Sequence, residues 1–185
     1  EFTGVGIMKM NEGLDTGDIL LEEKIKINNN DNLNTLSEKL SILSAKLFLN
    51  ATSLIGENIN KNSNYQLTKQ NTLGREITYA RMIEKSDFKV DWGNEAIEIS
   101  QKIKGLYPRA NTTFRGKNLK ILKIKVLSSD EIKNEKYLFM SNYSRPGIIL
   151  AVIENEGIII STKTDPIILL EAKLEGKNIS SKKQL

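Results

Sequence analysis

The sequence predicts an α/β region followed by a small, mainly β unit folded as an antiparallel barrel. Three observations carry this expectation. Residues 1–60 hold two strand-like runs and one long amphipathic stripe. Residues 61–185 hold one helical stripe and then five short, Ile-rich runs. The charge also changes sign: the first stretch has 5 basic and 9 acidic side chains, the second 22 and 14. Stretches of net −4 and +8 point to two domains with different partners.

Taken in order, residues 3–10 and 19–27 read as strands, and Glu23-Lys24-Ile25-Lys26-Ile27 alternates charged with apolar as a half-exposed strand does. Between them lies the polar loop Asn11-Glu12-Gly13-Leu14-Asp15-Thr16-Gly17-Asp18. Leu33, Leu36, Leu40, Leu43 and Leu47 then recur at three- and four-residue spacing, a core-facing helical stripe running to about Ile55. Thr35 and Glu38 have capping-box spacing and mark its expected start, and Gly56 its stop. Residues 57–74 have few apolar anchors and read as part of a linker. The expected division is 1–61, a linker over 62–86, and a second domain over 87–185.

That domain opens with an extended piece around Phe88 to Trp92, with Trp92 and Phe88 as packing anchors and Asp91 as a cap or turn residue. A helix follows, capped at Asn94, with Ala96, Ile99, Ile103 and Leu106 on one face and an end at Tyr107-Pro108. Strands are expected over 112–115, 119–127, 147–153, 158–162 and 167–170, separated by turns such as Arg115-Gly116-Lys117-Asn118. Short strands after one helix predict the small barrel.

Composition narrows the chemistry. With 39% apolar residues the 185-residue chain builds one ordinary domain or two small ones. Zero Cys excludes disulfides and thiolate chemistry, and zero His excludes an imidazole base or ligand from this chain. No apolar run approaches a membrane span, so a cytoplasmic protein without membrane attachment is expected. The Lys, Ile and Asn bias is that of an A/T-rich genome and lowers the weight of any single Asn. The chain opens Glu1-Phe2-Thr3-Gly4 without Met and closes over 180–185 on what resembles the start of a capped helix, so a fragment is expected.

Two constellations could carry function. In the loop, a carboxylate held by Gly-permitted turns could take a proton from an attacking amine or orient an imidazole; the same pattern also describes a plain Asp/Gly turn with solvated carboxylates. From Ile99 to Ser129 there are eight basic residues and no acidic one, among them Arg109, Arg115, Lys117, Lys120, Lys123 and Lys125. Such a face is either a footprint for the phosphates of RNA or a solvated outer surface. Few aromatic residues are interleaved, so shape and phosphate contact would dominate over base stacking.

Thr3-Gly4-Val5, Ile7-Met8 and Gly13-Leu14-Asp15-Thr16-Gly17-Asp18-Ile19-Leu20 resemble the final strand–loop–strand of the methionyl-tRNA formyltransferase catalytic domain. Thr35 to Leu40 resembles that domain's last helix, Ile77-Thr78-Tyr79-Ala80 its linker, and Asp91-Trp92, Pro108 and the basic strands its C-terminal domain. The resemblance implies the end of a Rossmann-like formyltransferase domain followed by an OB-like, tRNA-binding barrel. It implies transfer of a formyl group from 10-formyltetrahydrofolate to the amino group of methionyl initiator tRNA, without a metal, by a monomer. Asp15 is then the catalytic carboxylate, working with an Asn and a His from an earlier segment, and Gly13, Leu14 and Asp18 border the substrate. Arg109, Arg115, Lys117, Lys120, Lys123 and Lys125 are the tRNA-facing set. Lacking the Asn–His segment, these residues alone are expected to be inert. Two alternatives stand beside this: a formyltransferase acting on an amino sugar nucleotide, and a non-catalytic RNA-binding module.

Overall fold

The computed structural model describes residues 1–61, 64–74, 78–132 and 145–181. They form two compact units, Glu1–Arg81 and Met82–Leu185.

In the first unit, β1 (Phe2–Met8) and β2 (Ile19–Lys26) pair antiparallel, from Phe2 opposite Lys26 to Ile7 opposite Leu21. The helix α1 (Leu33–Asn60) packs on both strands and buries Leu43, Leu47 and Ala51, spaced four apart as a core stripe requires. Its ends differ from expectation. The capping box lies one turn earlier than Thr35 and Glu38: the Asn32 side chain accepts from the Asn34 and Thr35 N–H groups, and the Thr35 hydroxyl accepts from Asn32 N–H at 3.0 Å. Asp31, just before it, accepts from Lys39 Nζ at 2.6 Å and from Asn28 N–H at 2.8 Å, which fixes the entry turn. At the other end the helix runs through Gly56 to Asn60. A glycine ends a helix when it takes the left-handed conformation; in a helical one it costs only about 1 kcal/mol against Ala.

The second unit begins with Val90 donating to the Asn111 carbonyl at 2.8 Å, laying the extended piece beside β3 (Asn111–Phe114). Asp91 is a turn residue, its carboxylate accepting from Gly93 N–H at 2.9 Å. The helix α2 (Ala96–Gly105) buries Ala96, Ile99 and Ile103. Its cap is not Asn94. Glu95 occupies the cap position without a side-chain bond, and Ala96 N–H instead donates to Thr164 Oγ1 at 3.0 Å, from a loop 68 residues away. The strands β4 (Lys117–Val126), β5 (Ile149–Ile153), β6 (Gly157–Ile160), β7 (Ile167–Leu174) and β8 (Ile179–Ser181) complete a six-stranded antiparallel sheet in the order β3-β4-β7-β6-β5. β7 is shared along its length: Ile167 to Leu169 pair with β6, while Glu171 to Lys173 pair with β8. Residues 179–181 are therefore strand, not the start of a helix, and 182–185 lie outside the described residues, as does Ile77 of the expected linker.

The pairing does not close the sheet into the expected barrel. Among the described residues nothing joins β3 to β5, so the sheet is open. Curvature is nonetheless built in. On β4 the core positions are Leu119 and Ile121, then Ile124 and Val126; on β7 they are Ile167 and Leu169, then Ala172. Each strand takes an extra residue where the register breaks, between Ile121 and Ile124 and opposite Leu169 to Ala172. Irregularities of this kind bend a strand and re-aim its side chains. The sheet buries its other face too, through Leu127, Ile159 and Ile168, which is why 158–160 and 167–170 are continuous apolar runs and not alternating ones. Gly157 turns β5 into β6 at φ 132, where a Cβ would lie 2.2 Å from the Leu169 carbonyl oxygen.

The Thr164 cap is testable by urea unfolding. Thr164→Val is expected to lose about 1 kcal/mol, whereas Asn94→Ala is expected to stay within about 0.5 kcal/mol of the parent chain.

Candidate active-site loop and basic face

The loop between β1 and β2 is held at its neck. Lys9 N–H donates to the Asp18 carbonyl at 2.9 Å, and Gly17 is buried so close to the opposite chain that a Cβ there would lie 1.8 Å from the Lys9 carbonyl oxygen. Beyond the neck the chain is exposed. Asn11 ties the tip internally, accepting from Gly13 N–H at 3.1 Å and from the Thr16 hydroxyl at 2.7 Å. Asp15 sits at φ 54, a left-handed conformation that a non-glycine residue adopts at a cost of about 1–2 kcal/mol. Leu14 is 91% exposed and Asp18 half-buried, so Gly13, Leu14 and Asp15 form the outer rim while Asp18 stays at the neck.

A second segment grips this loop. Ile19 and Thr68 exchange two backbone hydrogen bonds of 2.8 Å, placing 68–70 alongside the start of β2. Gln70 Nε2 then donates to the carbonyls of Asp15 at 2.8 Å and Gly17 at 2.7 Å. Neither Asn11 nor Gln70 stands out in the sequence: the Asn bias hides the first, and 55 residues separate the second from Asp15. What the loop offers chemically is two solvent-facing carboxylates, Glu12 and Asp15, of which Asp15 lies on the stretch whose backbone Gln70 holds directly. Among the described residues no group of three or more Asp or Glu side chains is arranged to hold a metal ion.

On the second unit the cations divide into two kinds. Arg115 and Gly116, both at positive φ (48 and 77), form the two-residue turn from β3 to β4, with Phe114 opposite Lys117. The Arg115 guanidinium lies 5.3 Å from the Phe114 ring centre and that of Arg109 4.6 Å from Phe88, so both are stacked on aromatic faces. The kink in β4 brings Lys123 and Lys125 to the outer face beside Lys120, all exposed. Lys120 stands opposite Lys173 of β7, two like charges in one cross-strand pair. Lys123 has Glu171 at 4.0 Å, and Lys125 donates to Glu131 of α3 (Ser129–Ile132). Two of the expected phosphate contacts are thus already matched by carboxylates, which the one-dimensional count of eight basic residues does not show.

Glu131 records that match. The Lys125 ammonium, and then Ser128 N–H at 3.0 Å, pull its carboxyl from 4.5 down to about 2. Because the folded value is depressed, the stabilisation is full above about pH 4.5 and is lost as the pH falls toward 2. Lys125→Met is expected to return the Glu131 midpoint toward the ordinary Glu range in a carboxyl NMR titration; an unmoved midpoint would mean that the lysine is not its partner.

The family described as "Formyl transferase" matches residues 1–52, and "Formyl transferase, C-terminal domain" matches residues 82–185. A methionyl-tRNA formyltransferase of Prochlorococcus marinus (strain MIT 9312) is 91% identical over the whole chain, which covers 56% of that protein. The chain spans about half the length of the curated relatives it matches. Among solved structures, HypX from Aquifex aeolicus in complex with tetrahydrofolic acid aligns with TM-score 0.64 and 14% identity over 98% of this chain and 29% of that one. The N-formyltransferase from Helicobacter canadensis, in complex with folinic acid and dTDP-3-aminofucose, aligns with TM-score 0.57 and 19% identity over 91% and 55%. At those identities the likeness is one of fold. With its second unit matched from end to end and its first matched across the loop that carries Asp15, the chain belongs to the formyl transferase family.

Proposed function

We propose that this chain supplies the end of the catalytic unit and the RNA-facing unit of an enzyme that moves a formyl group from 10-formyltetrahydrofolate to the amino group of methionyl initiator tRNA. The observation that carries the proposal is the 91% identity to a protein of that name across all 185 residues. The positioned Asp15 loop supports it from the chemistry. In the transfer the amine nitrogen bonds to the formyl carbon, the bond from that carbon to the folate nitrogen breaks, and a proton passes from amine to departing folate. Asp15 has the reach of a rim residue to steady the charge of an imidazole supplied from outside this chain and to help move that proton. Gly13 and Leu14 would border the folate and amine, with Asp18 behind them.

The open six-stranded sheet of the second unit fits an OB-like barrel whose β3–β4 face meets the tRNA backbone. Arg109, Arg115, Lys117 and Lys120 are its foremost contacts, with Lys123 and Lys125 secondary because their carboxylate partners must give way. The protein is read as a cytoplasmic monomer that uses no metal. An amino sugar nucleotide as acceptor has the Helicobacter canadensis structure on its side at the level of fold only.

The test uses a polypeptide of the relatives' length that carries these residues. Asp15→Asn is expected to lower kcat/KM for formylation by roughly 10²–10⁴-fold while leaving the Kd for initiator tRNA within about twofold of the parent value; equal losses in both would assign Asp15 a structural role. The 185 residues alone are expected to give no turnover. Their tRNA affinity should fall steeply between 50 and 200 mM salt, by roughly 10-fold or more for a few phosphate contacts, and a salt-independent Kd would remove the basic face from the account.

A further inference from the structure

The clamp on the Asp15 loop comes from outside the hairpin. Gln70 opens a single 3-10 turn (Gln70–Leu73), and its backbone is fixed nearby by the paired Ile19–Thr68 bonds and by Thr72 N–H donating to Lys69 at 3.1 Å. From this anchored base the side chain reaches two carbonyls that bracket Thr16. Both are acceptors only, so the amide must present nitrogen and not oxygen, and both of its N–H groups are used. Among side chains of this length only the carboxamide offers two donors on one neutral nitrogen: Glu offers none when ionised, and Lys brings a charge into a loop with three carboxylates, Glu12, Asp15 and Asp18. The carbonyls held are those of Asp15, at φ 54, and Gly17, at the neck. Holding both fixes the Asp15–Thr16 and Gly17–Asp18 peptide planes, which braces the stretch carrying Asp15 and so sets the direction in which its side chain leaves the loop.

We propose that Gln70 is a positioning residue for formyl transfer, acting through the Asp15 and Gly17 carbonyls to aim the Asp15 carboxylate. This rests on Asp15 being the working carboxylate. The effect belongs in kcat, because a misaimed group costs transition-state contact while substrate binding stays intact; displacements near 1 Å cost up to about 100-fold.

The experiment compares Gln70→Met, Gln70→Glu and Asp15→Asn with the parent protein, in a polypeptide of the relatives' length. It reads kcat, both KM values, the pH–rate profile, thermal midpoint and amide hydrogen exchange over residues 13–18. Gln70→Met is expected to lower kcat roughly 10- to 100-fold, with both KM values within about twofold and an unchanged thermal midpoint, and to speed exchange in the loop. Gln70→Glu is expected to be as slow at neutral pH and to gain on the parent as the pH falls and its carboxyl becomes a donor. Faster exchange with an unchanged kcat would overturn the proposal, as would a kcat loss matched by losses in KM and thermal midpoint. If Asp15→Asn keeps full activity, the catalytic reading falls and this proposal with it. That outcome is distinct, since the exchange result for Gln70→Met reports the clamp whether or not Asp15 works.

Discussion

The close approach of two backbones at Gly17 is the constraint on which the candidate site depends. With no room for a Cβ against the Lys9 carbonyl oxygen, the two arms of the loop meet, and Lys9 can bond Asp18 across the neck. A closed neck turns the eight residues from Asn11 to Asp18 from a slack connection into a short tip with few conformations. It also brings the Gly17 carbonyl within reach of Gln70, so the loop is tied to its own Asn11 on one side and to the post-helix segment on the other. Asp15 keeps a left-handed backbone because the contacts around it over-determine that conformation.

In the second unit the equivalent constraint is the matched irregularity in β4 and β7. Without it, a strict two-residue period from Leu119 would carry Lys123 and Lys125 inward and Ile124 and Val126 outward. Taking an extra residue in both strands keeps the register on either side and moves the apolar residues to the core that α2 covers. The same step brings Lys123 and Lys125 to the outside beside Lys120. Packing and charge display are therefore consequences of one backbone feature, and the two acidic partners on Glu131 and Glu171 moderate the field that results.

Much of the fold was legible because burial imposes periods on sequence. The stripe through Leu43 and Leu47, the two opening strands and the Ile-rich runs each show the spacing of the surface they bury. Part of what escaped is set by contacts between distant residues. Thr164 caps α2 from 68 positions away, so local pattern favoured Asn94. The box at Asn32 is hidden in the sequence because Asn is so common here that its presence carries little information. β8 has three residues and one apolar side chain, too little to mark a strand. At the candidate site, Asp15 was singled out by its Asp/Gly loop, yet Gln70, which grips that loop, lies in a polar stretch with no pattern of its own. The basic count could not reveal that Lys123 faces Glu171, since that depends on register.

The measurement that bears most directly on the account is a crystal structure of a polypeptide of the relatives' length with a folate ligand bound. The account predicts the Asp15 carboxylate turned into the folate cleft, at hydrogen-bonding distance from an imidazole or from the reacting groups. A carboxylate turned away from the cleft, with the loop otherwise as described, would contradict it.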